Sequence, residues 1–177
     1  MSGRSDRKVN LAEIGTLQLE FHRLSQLTRD PTYAQIAQKI ITKLDALHLD
    51  PPGLYPLLFD METKKFVSEA VSFGAMGDSF YEYLLKRYLL TNKTEDQYRR
   101  MYEESIDSLH KHLVEQRGPR HDNIFLLAEL GISGHPLYRM DHLVRNIKAL
   151  TKYTWHVLSQ GCLALAPYLL IDQKTCC

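Results

Sequence analysis

The chain has 177 residues, of which 44% are hydrophobic and 24% charged, with a formal net charge of +1. This composition is typical of a soluble globular protein that is long enough to bury a core of its own. The balanced charge argues against a nucleic-acid partner, and no apolar run is long enough to cross a membrane. Met1 to Lys8 is polar and charged, so we expect neither a signal peptide nor an anchor. The three cysteines lie in the last sixteen residues without a metal-ligand spacing.

The first part of the chain predicts two amphipathic helices. Asn10 is a candidate N-cap with Glu13 at the capping-box position, and Asp30-Pro31 starts the second helix after a short connection. Such a connection makes the two helices antiparallel neighbours. Glu13 and Glu20 fall inside the apolar arc of the first helix, so they either reach water at its edge or line a polar cavity. The residues of that arc are Leu11, Ile14, Leu17, Phe21, Leu24 and Leu27.

The middle of the chain predicts a break, a hairpin and two further helices. Helical structure stops at 51–53, a Pro-Pro-Gly run, and a short hairpin follows within 54–67. The third helix covers Ser79 to about Leu90. The fourth helix has Thr94 as its cap, Gln97 completing a capping box, and a Gly-Pro end at 118–119. Beyond it we predict a strand in 123–130, a turn at 131–135 and a new segment from 140.

A glycine loop leads into the third helix and carries two acids. Asp78 or Ser79 caps this helix, and Glu82 lies where a capping-box acid would reach back to Ser79. Asp78 and Glu82 are four residues apart and therefore share one helix face. One interpretation is an acid-capped amphipathic helix that serves packing alone, and the other is a pair of site carboxylates. The apolar stripe that would pack is Tyr81, Leu84, Leu85, Tyr88 and Leu89.

Several segments resemble one enzyme family. The run SFGAMGDSFYEYLLK at 72–86 resembles the signature of the class I α-1,2-mannosidases, glycoside hydrolase family 47, which trim mannose from N-linked glycans. LAEIGTLQLEF at 11–21, GLYP at 53–56, YRRMYEE at 98–104 and YRMDHLV at 138–144 resemble the same family in the same order. The resemblance covers about residues 9–144, and 145–177 is a divergent tail.

The resemblance implies a fold, a reaction, a cofactor and a partner. The expected fold is all-α, a partial (α/α)7 barrel of helical hairpins with short β-hairpin excursions. The implied activity is inverting hydrolysis of terminal α-1,2-linked mannose on a high-mannose N-glycan of a glycoprotein, with bound calcium. The implied location is the membrane or lumen of the endoplasmic reticulum or Golgi, with membrane attachment only through an anchor that this chain lacks. No nucleic-acid partner is expected.

The same resemblance assigns four residues. Asp78 matches the family's central catalytic aspartate, which acts through water on the leaving oxygen. Glu13, Glu82 and His142 match acids and a histidine of the cleft that bind the substrate. Met76 lies where relatives that remove a single specific mannose carry an arginine, which favours a broader trimming activity.

Departures from the family pattern predict an incomplete domain. Arg145 replaces a disulfide cysteine of the family, and a full catalytic domain is well over twice as long as this chain. The acid glutamate, the second set of cleft glutamates and the calcium-ligating threonine have no match here, so we assign no metal ligand. We therefore expect a mannosidase fragment with little activity alone and with exposed apolar faces. The alternative is a non-catalytic module that binds high-mannose glycans or glycoproteins.

Overall fold

The computed structural model of the chain describes residues 7–117, 124–127, 129–130, 136–137 and 143–144, and gives side-chain environments for residues 7–114. Within these ranges the fold is mostly helical with short strands, as predicted. The helices are α1 (Leu11–Gly15), α2 (Gln18–Thr28), α3 (Thr32–Asp45), α4 (Asp78–Leu90) and α5 (Asp96–His112). The strands are β1 (Lys8–Asn10), β2 (Leu58–Asp60), β3 (Lys65–Phe66), β4 (Val114–Arg117), β5 (Ile124–Leu127), β6 (Glu129–Leu130), β7 (Pro136–Leu137) and β8 (Leu143–Val144).

The first helical prediction is right at its start and wrong in its continuity. Asn10 and Glu13 form the predicted capping box, with Glu13 N donating to Asn10 Oδ1 at 2.8 Å and Asn10 N to Glu13 Oε2 at 3.1 Å. The helix then ends at Gly15, and α2 begins at Gln18 after Thr16 leaves the helical region with φ −125°. The apolar arc of one continuous helix therefore does not exist, and both Glu13 and Glu20 are exposed.

The α2–α3 hairpin forms as predicted. Asp30 Oδ1 accepts from the amide of Thr32 at 2.9 Å, so Asp30 caps α3 although the first helical residue is Thr32. Ser25 Oγ accepts from the amide of Ala34 at 2.8 Å, and the rings of Phe21 and Tyr33 meet edge to face. These contacts hold the two helices together as neighbours.

The hairpin predicted within 54–67 is confirmed and gains a strand. β2 and β3 pair antiparallel, and β1 adds to the other edge of β2 with Val9 opposite Phe59. Asp60 Oδ1 accepts from the amides of Glu62 and Thr63 and closes the turn. The pattern of residues 8–10 alone does not indicate β1, because its partner lies about fifty residues later in the chain.

The fourth helix differs from its prediction at both ends. Glu95 is the N-cap and makes no side-chain cap bond, so the Thr94–Gln97 capping box is wrong. Gln97 Nε2 instead donates to Asp45 Oδ2 at 2.7 Å and ties α5 to α3. The helix ends at His112, six residues before Gly118 of the predicted Gly-Pro end, and β4 follows. The residues at helical spacing that face the core are Tyr98, Met101, Ser105, Leu109 and Leu113, and all five are buried.

The described backbone after α5 consists of short antiparallel strands. β4, β5 and β8 form one sheet, and β6 pairs with β7 in a second sheet. The strand predicted in 123–130 is confirmed by β5 and β6. The turn predicted at 131–135, the start of the segment at 140–142 and the tail 145–177 lie outside the described residues.

One core joins α1, α3, α4, α5 and the first sheet. Its members are fully or nearly fully removed from solvent, which is the main stabilising contribution to a domain of this size. It places the first turn of α4 directly against α1. The buried members are Leu11, Ile41, Leu44, Tyr55, Phe59, Phe80, Tyr81, Leu84, Tyr98 and Met101.

Candidate active site

The glycine loop ahead of α4 is fixed by hydrogen bonds and stacking. Ser72 Oγ accepts from the amide of Gly74, whose carbonyl accepts from the amides of Gly77 at 3.1 Å and Asp78 at 2.8 Å. The ring of Phe73 stacks on Tyr81 of α4 with centroids 3.8 Å apart and an interplanar angle of 9°. The loop therefore delivers the chain into α4 in one defined position.

A side chain at position 77 would not fit this loop. A Cβ on Gly77 would lie 2.5 Å from the carbonyl oxygen of Ser72 and 3.0 Å from Cδ2 of Leu57. Met76 just before it has φ 71°, a left-handed conformation that a non-glycine residue adopts at an energetic cost. The two residues that precede Asp78 are thus held in a strained, closely packed turn.

The loop is also bonded to α1. The amide of Ala12 donates to the carbonyl of Met76 at 2.9 Å, and the amide of Leu11 donates to the carbonyl of Leu57 at 2.9 Å. Gly15 at the end of α1 lies against the ring of Phe80, which a Cβ at position 15 would overlap. Glu13 and Asp78 consequently lie on two backbone segments that are tied to each other.

Asp78 is the first residue of α4 and is exposed. Its Oδ1 accepts from the amide of Ser79 at 2.8 Å. The positive end of the helix dipole favours a carboxylate at this position. An exposed carboxylate on a rigid backbone can hydrogen-bond a sugar hydroxyl or a water molecule from solvent.

Glu82 is half-buried one turn later and is paired with a lysine. Its Oε2 is 3.0 Å from Nζ of Lys86, which is 8% exposed and lies 5.6 Å above the ring of Tyr83. The predicted capping box between Ser79 and Glu82 is therefore wrong, because Gly77 is the N-cap and Glu82 points along the helix to Lys86. Glu82 is a charge-paired acid on the same helix face as Asp78.

The structure describes Glu13 but not His142. Glu13 is exposed, and its carboxylate closes the α1 capping box. His142 lies outside the described residues, as does its neighbour Asp141. The structure thus brings Glu13, Asp78 and Glu82 to the α1–α4 junction, and it does not place His142.

Glu20 has a partner that the sequence did not indicate. The hydroxyl of Tyr83 on α4 donates to Glu20 Oε1 at 2.6 Å. Burial, and then this carboxylate, raise the pKa of Tyr83. The bond ties α2 to α4 one turn above the glycine loop.

A second polar cluster lies at the far end of α4, and sequence reasoning missed it. Arg87 is 7% exposed and makes two hydrogen bonds to the carboxylate of Glu95, with Nε–Oε2 at 3.0 Å. Its Nη2 also lies 2.9 Å from Nδ1 of His22 on α2. Burial and the Arg87 charge lower the pKa of His22, and burial raises the pKa of Tyr98 to about 12. A charged residue within an apolar helix stripe was the available signal.

Residues of this second cluster line an open depression of about 500 Å³ between α2, α3 and the start of α5. Arg87, whose partners His22 and Glu95 line this depression, is nine residues after Asp78 and therefore about 13 Å further along α4 at 1.5 Å per residue. The lining residues of the depression are His22, Ala34, Gln35, Gln38, Glu95, Asp96, Gln97 and Tyr98. Within residues 7–114, no three His, Cys, Asp or Glu side chains group closely enough to hold a metal ion.

Comparison with known proteins identifies the family. The family model described as Glycosyl hydrolase family 47 matches residues 1–156. The chain is 40% identical over 135 residues to the mannosyl-oligosaccharide 1,2-alpha-mannosidase of Candida albicans, covering 75% of this chain and 23% of that protein. It is 42% identical over 137 residues to the human mannosyl-oligosaccharide 1,2-alpha-mannosidase IB, covering 75% of this chain and 20% of that one.

Comparison of folds gives the same answer. The structure superposes on the alpha-1,2-mannosidase from Trichoderma reesei with a TM-score of 0.64 and 34% identity, over 73% of this chain and 27% of that chain. This neighbour has the (α/α)7 barrel fold, so the predicted fold class is confirmed. The chain spans only about a fifth to a quarter of the length of the relatives it matches. On the family match and the superposition together, the chain belongs to glycosyl hydrolase family 47.

Proposed function

We propose that the chain is the part of an α-1,2-mannosidase catalytic domain that carries one catalytic carboxylate, with terminal α-1,2-linked mannose of a high-mannose N-glycan as substrate. The observation that carries this proposal is the exposed carboxylate of Asp78 at the start of α4, directly after a loop that is bonded to α1. Relatives of this family are named for that activity on mannosyl-oligosaccharides, which supports the substrate class.

The proposed role of Asp78 is proton transfer through a water molecule to the leaving oxygen. Inverting hydrolysis needs an acid on one face of the sugar and a base that activates water on the other face. Asp78 and Glu82 project from one face of one helix and approach a bound sugar from the same side. They do not form the opposed pair, so the second carboxylate comes from another element of the domain.

Glu82 and Glu13 are proposed to bind the glycan. Because Glu82 is paired with Lys86, its remaining lone pairs can accept from sugar hydroxyls while the lysine holds the carboxylate in place. Glu13 lies beside the loop and reaches solvent. His142 completes the proposed binding set by resemblance. Met76, 46% exposed ahead of Asp78, presents an apolar side chain where a charged one would restrict the bound isomers.

Calcium and location belong to the same proposal. Among the described residues no three His, Cys, Asp or Glu side chains lie together, so we assign no calcium ligand there and derive no step through the ion. A relative from Saccharomyces cerevisiae is named as an endoplasmic reticulum mannosidase, which supports residence of the parent enzyme there or in the Golgi. None of the described helices is both long and apolar enough to span a bilayer.

A second candidate is a module that binds high-mannose glycans without cutting them. The placement of the described carboxylates favours it, because Asp78 and Glu82 lie on one helix face and do not form the opposed pair that inverting hydrolysis needs. This function needs only the α1–α4 junction. The two candidates differ in whether bound mannose is released.

The test is mannose release from α-1,2-mannobiose by the purified 177-residue chain over a long incubation, because the first candidate predicts slow release from a chain with one catalytic carboxylate and the second predicts none. Release that disappears in Asp78→Asn and persists in Asp107→Asn, an exposed aspartate on α5, supports the catalytic role of Asp78. Binding without release, lost in Asp78→Asn alone, supports the second candidate. Neither binding nor release above the level of a buffer blank contradicts both.

A further inference from the structure

The amide of Gln18 is buried without a protein partner. Gln18 is the first residue of α2 and is 0% exposed. Among the described residues, neither its Oε1 nor its Nε2 makes a hydrogen bond. A primary amide removed from water without compensating bonds costs considerable free energy, and native proteins rarely leave one so.

His22 contributes a third such atom one turn later. Gln18 and His22 are four residues apart, so they share one face of α2 with Cβ atoms about 6 Å apart. Arg87 can only donate hydrogen bonds, so His22 Nδ1 accepts from it and the proton of the neutral ring is on Nε2. That Nε2–H group is buried and has no partner among the described residues.

This face of α2 packs against α4. The contact between His22 and Arg87 joins the two helices on this face. The three atoms without partners therefore lie together on the α4 side of α2. They comprise one acceptor, the Gln18 carbonyl oxygen, and two donor groups, the Gln18 NH₂ and the His22 Nε2–H.

We propose that the α2–α4 interface contains an internal water site formed by the Gln18 amide and the His22 Nε2–H. A ligand for this set must both accept and donate hydrogen bonds, which excludes a simple anion. A metal ion is excluded at His22, because Nε2 carries the proton and Nδ1 is already bonded. Water meets the requirement with two donors and two acceptors, and buried waters typically make about three bonds to such groups.

Solvent has a route to this site. His22 also lines the open depression between α2, α3 and α5, so the site lies beside space that solvent reaches. Rotation of one side chain would admit water without separating the helices. The water would satisfy Gln18 and fix the imidazole in the tautomer that Arg87 requires.

A crystal structure of the 177-residue chain at a resolution that shows ordered water tests this directly. We expect water within about 3.2 Å of the Gln18 amide and of His22 Nε2. The proposal would be overturned if the Gln18 amide and His22 Nε2 were both bonded to protein atoms, or if neither had a water molecule within that distance.

Thermal unfolding gives a second, independent measurement. Gln18→Met keeps the length of the side chain and removes its polar atoms. If the amide is hydrated, this substitution removes its hydrogen bonds to the water and leaves the melting temperature unchanged or lower. If the amide is truly unsatisfied, the substitution raises the melting temperature by about 3 °C or more, which contradicts the water site. Gln35→Met on the exposed surface of α3 is the matched control.

Discussion

The amide of Ala12 donates to the carbonyl of Met76 across 2.9 Å, and this bond couples α1 to the loop that delivers Asp78. Residues 12 and 76 are more than sixty positions apart, yet each is adjacent or nearly adjacent to an acid of the candidate site. The position of Glu13 relative to Asp78 therefore depends on how closely α1 packs on α4. That packing depends in turn on the absence of a side chain at Gly15.

Gly15→Ala is expected to destabilise the chain and to weaken glycan binding together. The added methyl overlaps the fully buried ring of Phe80, and overpacking of this kind costs about 1–3 kcal/mol. Urea unfolding measures the loss of stability, and titration with α-1,2-mannobiose measures the loss of affinity. Ala46→Ser, at an exposed position after α3, controls for a small change in volume. Unchanged stability in Gly15→Ala would contradict the close α1–α4 contact.

Arg87→Met is expected to be strongly destabilising because it strips Glu95 of its partner. Removing one member of a buried pair costs about 3–5 kcal/mol, and we expect the lower end because the Glu95 side chain is 33% exposed. The double variant Arg87→Met, Glu95→Gln should lose less than the sum of the two single variants. A double-mutant cycle from urea unfolding measures this coupling, and strict additivity would show that the pair contributes nothing.

The stability of the chain should fall as the pH is lowered below about 6.5. Burial and Arg87 disfavour the imidazolium form of His22 in the folded state, so its pKa lies below the ordinary value for a histidine, about 6.5. The unfolded chain then binds more protons than the folded chain between the two pKa values, and acid favours unfolding. Glu95, the acid that faces the same cluster, opposes this shift and makes it smaller.

Melting temperatures of the wild type and His22→Gln, measured between pH 7.5 and 5, test this effect. The decrease on acidification should be smaller in His22→Gln. The control is His48→Gln, which replaces an exposed histidine beyond α3 and should behave like the wild type. Identical pH profiles in the wild type and His22→Gln would remove His22 as the titrating group.

Leu27→Glu is expected to raise solubility without a loss of stability. Leu27 is 67% exposed and Leu24 is 37% exposed on α2, and Ile36 is 47% exposed on α3, so the hairpin presents apolar side chains to solvent. Surface substitutions of this kind change stability by about 0.5 kcal/mol or less. Light scattering at increasing concentration should show less self-association in Leu27→Glu than in the wild type. An increase in association, or a large drop in melting temperature, would indicate that Leu27 is packed.

The sequence correctly predicted the features that depend on residues close together in the chain. The Asn10–Glu13 capping box needs only four consecutive residues, and the buried stripe of α5 follows from helical spacing at Tyr98, Met101 and Leu109. The glycine loop and the first turn of α4 were found because their residue types are unusual and resemble a family run. The capping box depends only on neighbouring residues, whereas the glycine loop also depends on its packing against Leu57 and its bond to α1.

Features that distant residues determine were missed. The break after Gly15 reflects packing on Phe80, and Gln97 leaves its capping role because Asp45 on α3 offers a better partner. The burial of Arg87 depends on Glu95 and His22, which become its neighbours only after folding. A single sequence contains no local trace of such pairings, since the energy of a contact depends on both partners.

The most direct test of the central claim is an NMR titration of the 177-residue chain with α-1,2-mannobiose, with maltose as the control sugar. The account predicts that the amide signals of Gly77, Asp78, Ser79 and Glu13 shift with mannobiose and not with maltose, and that Asp78→Asn abolishes the shifts. Absence of shifts at the α1–α4 junction, or equal shifts with both sugars, would contradict the assignment of this junction as the mannose-binding site.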